Sequence, residues 1–321
     1  DSFFKGVSMS DEFVQFTLND ENGTIIKVPY LMDDTLIFMS EKPGDVKTRL
    51  TNQQKRSIVH MIVEGYIDGA DVRYLADQML RLEILDLRKT DLAELSDYAF
   101  CKGGLKYGKE TIREVYLPET CSSIGKYAFY GCVNLKLLHS PGVVKIGEQC
   151  LQYCQVDKIV TAPWEHYDNL SDCSISRLEF SPNATTATFP FPPQGSVTNF
   201  EGVVDTVYCH TGITSIGTLG ANVKNVIFEE PSTIKVIEEG DLHEADIETF
   251  ILPTSVETIE ELSLPNPTNF KLFVIPQQSR LTKIEHDHYG PFGPLENTGT
   301  TMSLICFLSR PISLQCLFHY S

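Results

Sequence analysis

The sequence repeats a pattern of three apolar residues at positions i, i+3 and i+5 along most of its length. Clear copies begin at Ile58, Leu82, Ile112, Ile175, Val223, Ile247 and Phe270. Regular copies lie about 19 to 24 residues apart. Positions i+3 and i+5 fall on one face of a short strand because side chains alternate. One repeat cannot bury this face alone, so the pattern predicts a stack of coils with one strand per coil.

The return half of each coil is patterned too, most clearly in residues 112–132. Prolines just after the strand are Pro118, Pro141, Pro182, Pro253 and Pro276. Proline ends a strand because it cannot donate to the ladder. Ile-Gly or Ile-Glu follows, then Ala-Phe and Cys in the best copies. In this order of motifs the chain resembles the BspA-like family of leucine-rich repeats, over roughly residues 58–321.

The resemblance implies an α/β repeat fold, a leucine-rich-repeat solenoid of about eleven irregular coils. Its parallel β-sheet would line the concave side, and short irregular or helical segments would form the convex side. The resemblance also implies an extracellular or cell-surface protein, commonly with a lipoprotein or secretory signal, whose activity is adhesion or partner binding. We therefore expect that a signal peptide has been removed ahead of Asp1.

The first 50 residues lack the triad and are expected to form a small β segment. Residues 14–18 and 25–28 read as two strands joined by a turn, and residues 36–39 could add a third. A bare terminal coil exposes an apolar row, so this segment is predicted to cover the first coil. We predict an N-terminal β segment or cap over residues 1–50 and a solenoid over residues 51–321.

Two helical segments are expected near the start of the solenoid. Residues 51–57 could form a short helix capped by Thr51. Residues 68–79 place apolar side chains at helical spacing, and Asp68 or Asp71 could cap them. We interpret the second stretch as a helical part of the convex side.

Charge and motif content narrow the classes of partner and activity. The formal net charge is −17, so phosphate backbones are repelled, and neither nucleic acid nor an anionic membrane surface is an expected partner. No apolar run of about 18 residues occurs, so no integral membrane span is predicted. Gly-x-Gly-x-x-Gly, Walker, His-Glu-x-x-His and Gly-x-Ser-x-Gly motifs are absent. Neither an enzyme nor a cofactor is expected.

Nine cysteines occur, an odd number that cannot all pair within the chain. Cys132, Cys154 and Cys173 fall in the same slot of successive repeats, which a stack of coils would place side by side. A disulfide ladder or a metal site there is the alternative. We favour small apolar side chains that fill a narrow interior corner.

Insertions interrupt the period around residues 103–110, 183–202 and 286–300. Long loops on a rigid scaffold often carry function, and erosion of the repeat is the alternative. The second insertion contains Phe189 and Phe191 in a stiff proline-rich stretch, which makes them candidate binding residues. The third begins with His286 and His288, flanked by carboxylates, a weak candidate for a metal site.

The i+4 position of each repeat is expected to point out of the core on the concave side. Its residues are Ile62, Asp86, Tyr116, His139, Val160, Glu179, Tyr208, Ile227, Ile251, Val274 and Cys306. This column is unusually apolar for exposed positions, which favours a surface for a protein partner. Alternatively, β-branched and aromatic residues simply favour strands, or a loop covers them. The candidate binding residues are Tyr116, His139, Tyr208, Ile227, Ile251 and Val274.

The sequence therefore predicts a non-enzymatic binding or adhesion protein that uses the concave column and the inserted loops. Its expected partner is a protein or a host or matrix surface. Glycan binding, with Phe189 and Phe191 as an aromatic platform, is one alternative, and a structural spacer within a larger surface protein is another. Tyr116 and Tyr208 are the preferred anchors because tyrosine loses little entropy at an interface. The concave assignment fails if these two side chains lie in the solenoid core.

Overall fold

A computed structural model describes most of the chain. The described residues are 4–9, 13–29, 34–101, 107–164, 166–167, 172–189, 203–220, 223–243, 245–265, 270, 272–285 and 306–307. The first strands are β1 (Phe4–Met9), β2 (Phe13–Leu18), β3 (Ile25–Pro29), β4 (Thr35–Ser40), β5 (His60–Gly65), β6 (Ile84–Thr90), β7 (Glu94–Leu95), β8 (Glu114–Tyr116), β9 (Ser123–Ile124), β10 (Leu137–Ser140), β11 (Lys145–Ile146) and β12 (Gln155–Thr161). The remaining strands are β13 (His166–Tyr167), β14 (Ser174–Phe180), β15 (Thr186–Phe189), β16 (Val203–Cys209), β17 (Ser215–Leu219), β18 (Val223–Phe228), β19 (Val236–Ile237), β20 (Thr249–Ile251), β21 (Thr258–Ile259), β22 (Leu272–Ile275), β23 (Lys283–Ile284) and β24 (Cys306–Phe307).

The main body is a parallel β-solenoid, as predicted. A nine-stranded sheet has the order β18-β16-β14-β12-β10-β8-β6-β5-β4, and β20, β22 and β24 form a further parallel sheet. The triad side chains point inward and are buried, among them Met61, Leu85, Val115, Leu138, Ile159, Leu178, Val207, Val226, Phe250 and Phe273. Each coil therefore buries its apolar row against its neighbours, which is how a repeat array gains stability.

Two weak triads carry a hydroxyl where the others carry an apolar side chain. Ser140 and Thr161 are buried. The Ser140 hydroxyl donates to the Val160 carbonyl at 3.2 Å, and the Thr161 hydroxyl donates to the Val143 carbonyl at 3.2 Å. Trp164 donates its indole N–H to Thr161 at 2.7 Å. These bonds satisfy polar groups that would otherwise be costly inside the stack.

The N-terminal strands β1, β2 and β3 form a separate antiparallel sheet. The hairpin of β2 and β3 was predicted, and Asp20 fixes its turn by accepting a bond from the Thr24 backbone N–H at 2.8 Å. The prediction that residues 36–39 add a third strand to this sheet is wrong. It lies in β4, which pairs in parallel with β5 and opens the large sheet. Leu36 and Phe38 align with the buried Met61 and Val63, so their spacing fits the solenoid. That the small sheet covers the first coil stays a prediction.

Short strands line the convex side of the solenoid. They form the parallel ladders β13-β11-β9-β7 and β19-β21-β23, and β15 pairs with β17. β15 occupies residues 186–189, so the insertion predicted from residue 183 begins with a regular strand. Its Ala187 is buried against the core, and the small side chain explains why the apolar pattern was hard to see.

Three helices lie near the start of the array: α1 (Asp45–Arg49), α2 (Asn52–Ser57) and α3 (Gly69–Gln78). α2 and α3 confirm the two predicted helical segments. Thr51 caps α2 and Asp68 caps α3, each in a capping box that satisfies two otherwise unpaired backbone donors. α3 buries Val72, Leu75 and Ala76 on its core face.

Candidate functional site

The predicted concave column forms one registered row in each of the two parallel sheets. The register pairs Ile62 with Asp86, Asp86 with Tyr116, Tyr116 with His139, His139 with Val160, Val160 with Glu179, Glu179 with Tyr208, and Tyr208 with Ile227. In the second parallel sheet, Ile251 pairs with Val274 and Val274 with Cys306. Ile37 adds one position ahead of Ile62. These residues are called the concave strip from here on.

Most of the strip side chains are at least partly exposed, while Asp86 and Val160 are buried. Tyr116, His139, Tyr208 and Val274 are half-buried, while Ile227 is 47% exposed and Ile251 is 56% exposed. The exposed apolar side chains of Ile37, Ile227 and Ile251 lie toward the ends of the strip, and its two carboxylates, Asp86 and Glu179, lie between them. Tyr116 and Tyr208 therefore do not lie in the solenoid core, the position that would have ruled out the concave assignment. Their role in binding stays a proposal.

The first charged group in the strip consists of Asp86, Arg88, Glu114 and Tyr116, and is called the first Arg–Tyr cluster. Arg88 donates from Nε to Asp86 Oδ1 at 3.0 Å and from Nη2 to Asp86 Oδ2 at 2.6 Å. Its guanidinium lies 4.7 Å from the centre of the Tyr116 ring. The Tyr116 hydroxyl donates to Glu114 Oε2 at 2.7 Å. Four side chains from two coils thus hold one another in place.

The electrostatics of this cluster agree with its geometry. Burial raises the pKa of Tyr116 to about 12, and the Glu114 carboxylate adds to the effect. Burial also opposes ionisation of Asp86, but bonds from Arg88 more than offset it, so the pKa of Asp86 lies below its usual value. The hydrogen bonds to Asp86 raise the pKa of Arg88. At neutral pH the cluster therefore holds an ionised Asp–Arg pair beside a neutral tyrosine.

His139 lies beside Tyr116 on the next strand. The two rings are 5.8 Å apart and tilted by 38°. Burial lowers the pKa of His139, and the positive charge of Arg88 lowers it further, so the imidazole is neutral at pH 7. Its Nδ1 atom is buried and has no hydrogen-bond partner within the described part of the chain. Such a group costs free energy until something supplies the bond.

A second group of the same kind lies further along the strip. It consists of Lys158, Arg177, Glu179 and Tyr208 and is called the second Arg–Tyr cluster. Arg177 Nε donates to Glu179 Oε1 at 2.5 Å, and Lys158 Nζ lies 2.6 Å from Glu179 Oε2. The Arg177 guanidinium lies 4.2 Å from the centre of the Tyr208 ring. One carboxylate therefore positions two cations.

Sequence reasoning found the tyrosines and missed the arginines. Arg88 occupies position i+6 of its repeat and Arg177 occupies i+2, so no single column contains both. An acidic residue two positions from an arginine, in Asp86-Leu87-Arg88 and Arg177-Leu178-Glu179, is the one signal that could have revealed them, because such residues share a face of a strand.

Several predicted site residues cannot be placed in the strip. Phe189 ends β15 on the convex side. Phe191, His286 and His288 lie outside the described residues, so the loop and the weak metal candidate stay predictions. Over the described ranges, no group of three or more His, Cys, Asp or Glu side chains is placed to hold a metal ion.

The cysteines occupy interior corners, as favoured from the sequence. Seven are free and buried: Cys101, Cys121, Cys132, Cys150, Cys154, Cys173 and Cys209. Several thiols donate to carbonyl groups of a neighbouring coil, as Cys101 does to Tyr127 at 2.9 Å and Cys154 does to Phe129 at 3.0 Å. Burial raises the pKa of Cys101 and Cys121 to about 11 and that of Cys209 to about 12. Such thiols are poor nucleophiles.

We expect these seven thiols to resist labelling by Ellman's reagent in the folded protein and to react once urea unfolds it. Only the thiolate attacks, and burial both blocks access and suppresses ionisation. Mass spectrometry of peptides from the labelled protein assigns each site. The matched control is Ser174→Cys, a half-buried position next to Cys173, which should react faster than its neighbour. Rapid native labelling of Cys132 or Cys154 would contradict the structural role.

A row of tyrosines lies in the turns that lead from the convex strands to the next concave strand. Tyr98 and Tyr127 are stacked, with ring centres 5.0 Å apart and planes 9° apart. Tyr130 packs edge-on against Tyr153 at 5.3 Å, and Tyr153 is 49% exposed. This row is called the tyrosine ladder. Its sequence signal is a tyrosine directly ahead of Ala-Phe in two successive repeats.

Comparison with known proteins supports the repeat assignment. The model of the BspA-type leucine-rich-repeat region matches six copies, over residues 93–176 and 207–298. No curated protein sequence matches the chain. None of the described helices is long and apolar enough to cross a membrane.

Similar solved structures are of bacterial origin. A leucine-rich-repeat protein from Bacteroides ovatus is 13% identical, with a TM-score of 0.26 and coverage of 87% of this chain and 90% of its own. The pneumococcal vaccine antigen PcpA is 12% identical, with a TM-score of 0.32 and coverage of 89% and 79%. A leucine-rich cell-surface protein from Faecalibacterium prausnitzii is 12% identical, with a TM-score of 0.23 and coverage of 89% and 95%.

Proposed function

Because the chain belongs to the BspA-type leucine-rich-repeat family, we propose that it is a non-enzymatic extracellular or cell-surface protein that binds a protein partner through the concave strip. The observation that carries this proposal is the strip itself. Its first registered row combines two Arg–Tyr clusters with exposed Ile227, and its second row adds exposed Ile251. Tyrosine and arginine are enriched at interface cores and dominate binding hot spots.

The way in which neighbouring side chains cover the tyrosine rings of the strip also favours a macromolecular partner over a small ligand. The Arg177 guanidinium covers the ring of Tyr208, and Tyr116 lies between Arg88 and His139. These rings therefore present edges and hydroxyl groups rather than open faces for stacking.

The absence of catalysis is part of the proposal and has support from the reactive side chains. All seven described thiols are buried with raised pKa values. Cys209 has His210 next to it in the sequence, but both ring nitrogens of that histidine are occupied. They bond with the Ser181 carbonyl and the Gly212 backbone N–H, each at 3.0 Å. This arrangement gives no thiol–imidazole pair.

We expect the purified chain to bind one or more immobilised fibronectins, collagens or mucins, and the variants Tyr116→Ala and Tyr208→Ala to weaken that binding about tenfold. Loss of a buried tyrosine anchor typically costs about 1–2 kcal/mol or more. Surface plasmon resonance measures the affinity, and Tyr153→Ala, outside the strip, is the control. Affinities that fall with Tyr153→Ala but not with the strip variants would contradict the proposal.

Glycan binding at the tyrosine ladder is a second candidate. It is favoured by the exposed Tyr153 ring and the stacked pair of Tyr98 and Tyr127, since exposed aromatic side chains with polar neighbours suit sugar rings. The variants Tyr153→Ala and Tyr208→Ala also test this candidate, with the opposite expected result for each. Binding of immobilised polysaccharides that is lost in Tyr153→Ala and kept in Tyr208→Ala would favour this candidate. No binding to any surface would leave a structural spacer.

A further inference from the structure

The two Arg–Tyr clusters have similar composition but differ in how many hydrogen-bond donors remain free. The inference drawn from this difference rests on the proposed role of the concave strip. In the first cluster, Asp86 takes two donors from the Arg88 side chain and also accepts the Arg88 backbone N–H at 3.0 Å. The Tyr116 hydroxyl is used by Glu114. This cluster is largely satisfied by its own members.

The second cluster leaves its outer donors free. Arg177 bonds Glu179 through Nε alone, so Nη1 and Nη2 have no acceptor among the described residues. The Tyr208 hydroxyl likewise has no hydrogen-bond partner there, and Lys158 forms an ion pair with Glu179. The Arg177 side chain is 42% exposed, so this free edge faces solvent. A guanidinium held at Nε and stacked on a ring keeps its two terminal nitrogens in a fixed plane.

The neighbouring charges do not close this free edge. Lys158 and Arg177 are adjacent in the register and share the single carboxylate of Glu179. Asp157, on the same strand as Lys158, is paired with Lys136 at 3.5 Å. Asp205, on the strand of Tyr208, is exposed and has no ion pair with Arg177 or Lys158. The N–H donors of Lys158 and Arg177 therefore outnumber the acceptor atoms that Glu179 provides.

We propose that the second Arg–Tyr cluster binds a carboxylate carried by an acidic segment of the protein partner. The planar fork of Arg177 matches a carboxylate bidentately, and the Tyr208 hydroxyl and Lys158 can add donors. The neighbouring strip residue is the exposed Ile227, two strands from Arg177 and therefore about 10 Å away. The partner segment then carries an apolar side chain two or four residues from its carboxylate in an extended conformation, because only those positions share the same face.

A protein segment fits this surface better than a sulfated glycan does. The guanidinium lies over the Tyr208 ring, so a sugar cannot stack there. The exposed side chain of Ile227 follows Tyr208 in the register and offers apolar contact without charge, and exposed Ile251 adds a second apolar side chain from the next sheet. A peptide can carry both an acidic side chain and an apolar side chain, and it therefore matches both parts of this surface.

The test selects peptides from a random library displayed on phage against the immobilised full chain, and measures the synthesised winners by calorimetry. We expect enrichment of Asp or Glu with an apolar residue two or four positions away. Arg177→Gln should weaken these peptides about tenfold or more, because a charge-assisted bond is lost. Tyr208→Phe should weaken them about threefold. The matched controls Arg113→Gln and Tyr66→Phe should change affinity less than twofold, because Arg113 pairs with Glu83 at 3.1 Å and both exposed residues lie outside the strip and its clusters.

Other outcomes overturn the inference. Selected peptides without acidic residues, no selected peptide at all, or equal losses in Arg177→Gln and Arg113→Gln would each do so. Tighter binding of heparin oligosaccharides than of any acidic peptide, lost in Arg177→Gln, would place a sulfated glycan at the cluster instead. If matrix proteins still bind through Tyr116 and Tyr208 while Arg177→Gln has no effect, the proposed function stands and only this inference fails.

Discussion

Replacing Gly142 with alanine is expected to lower the free energy of unfolding by about 3 kcal/mol. A Cβ atom at Gly142 would lie 2.0 Å from the carbonyl oxygen of Glu119 and 2.8 Å from its carbonyl carbon. Both atoms belong to the backbone of the preceding coil, so no side chain can rotate out of the way. The two coils would have to separate locally, and their shared apolar contacts would weaken.

The measurement is urea unfolding, followed by circular dichroism and by the fluorescence of Trp164. This single tryptophan is buried in the coil that follows Gly142, so its signal reports on the affected part of the stack. Gly240→Ala is the matched control. Gly240 has a φ of 83° and no atom within 4 Å of an added Cβ, so alanine there meets backbone strain alone, worth about 1 kcal/mol. Similar losses in both variants would show that close coil contact is not the cause.

The sequence alone predicted the strip because two periodicities fix it. The triad marks which strand residues face inward, and alternation along a strand then assigns the outward ones. A one-residue slip would have exchanged the two sets, so the match of Tyr116 with His139 and of Tyr208 with Ile227 follows from the same pattern that predicts the coils.

Features that depend on contacts between coils could not be read from the linear pattern. The Arg88–Tyr116 and Arg177–Tyr208 pairs join residues about 30 positions apart, and their side chains meet only because consecutive coils stack in register. The left-handed backbone at Tyr98 and Tyr127, with φ of 57° and 56°, was equally hidden. Glycine normally occupies such positions, and here backbone bonds to the next coil hold tyrosine there.

The sequence showed that Ile-Gly in the early coils is replaced by Ile-Glu in later coils, but it did not show why. An added Cβ at Gly125 would lie 2.5 Å from the Asp97 backbone nitrogen, and one at Gly147 would lie 2.6 Å from the Lys126 backbone nitrogen. The coils at Gly125 and Gly147 are therefore too close to the preceding coil for a side chain at this slot. Later coils carry Glu238 and Glu260 there, which brings carboxylates of successive coils near one another.

The buried carboxyl group of Asp241 is expected to make the later coils more stable in acid than at alkaline pH. Asp241 is 3% exposed and follows the convex strand β19. Burial raises its pKa to about 7, and the charges of Glu238 and Glu260 add to the rise, although a bond from the Glu238 backbone N–H at 2.7 Å opposes it. The folded state therefore holds a proton that the unfolded chain releases near pH 3.8.

The sign of the effect follows from this difference in proton binding. Stability from the protonated carboxyl group is fully present below the unfolded pKa, and it falls as pH rises toward the folded pKa of about 7. The full difference corresponds to roughly 4 kcal/mol at 1.36 kcal/mol per pKa unit. Asp45 and Glu257, whose pKa values are lowered, contribute in the opposite direction, so the total pH profile of the protein does not isolate Asp241.

The informative quantity is therefore the difference between Asp241→Asn and the unmodified protein. Asparagine keeps the shape and can accept the Glu238 N–H bond, but it does not ionise. From pH 4 to pH 8 the variant should gain up to about 4 kcal/mol relative to the unmodified protein in urea unfolding. Glu239→Gln, an exposed change in the same turn, should give a nearly constant difference. If the Asp241→Asn difference is also constant, water reaches the carboxyl group and the coil is looser than its packing indicates. A rising difference would instead establish that the acidic later coils tolerate their crowded carboxylates by keeping one of them protonated.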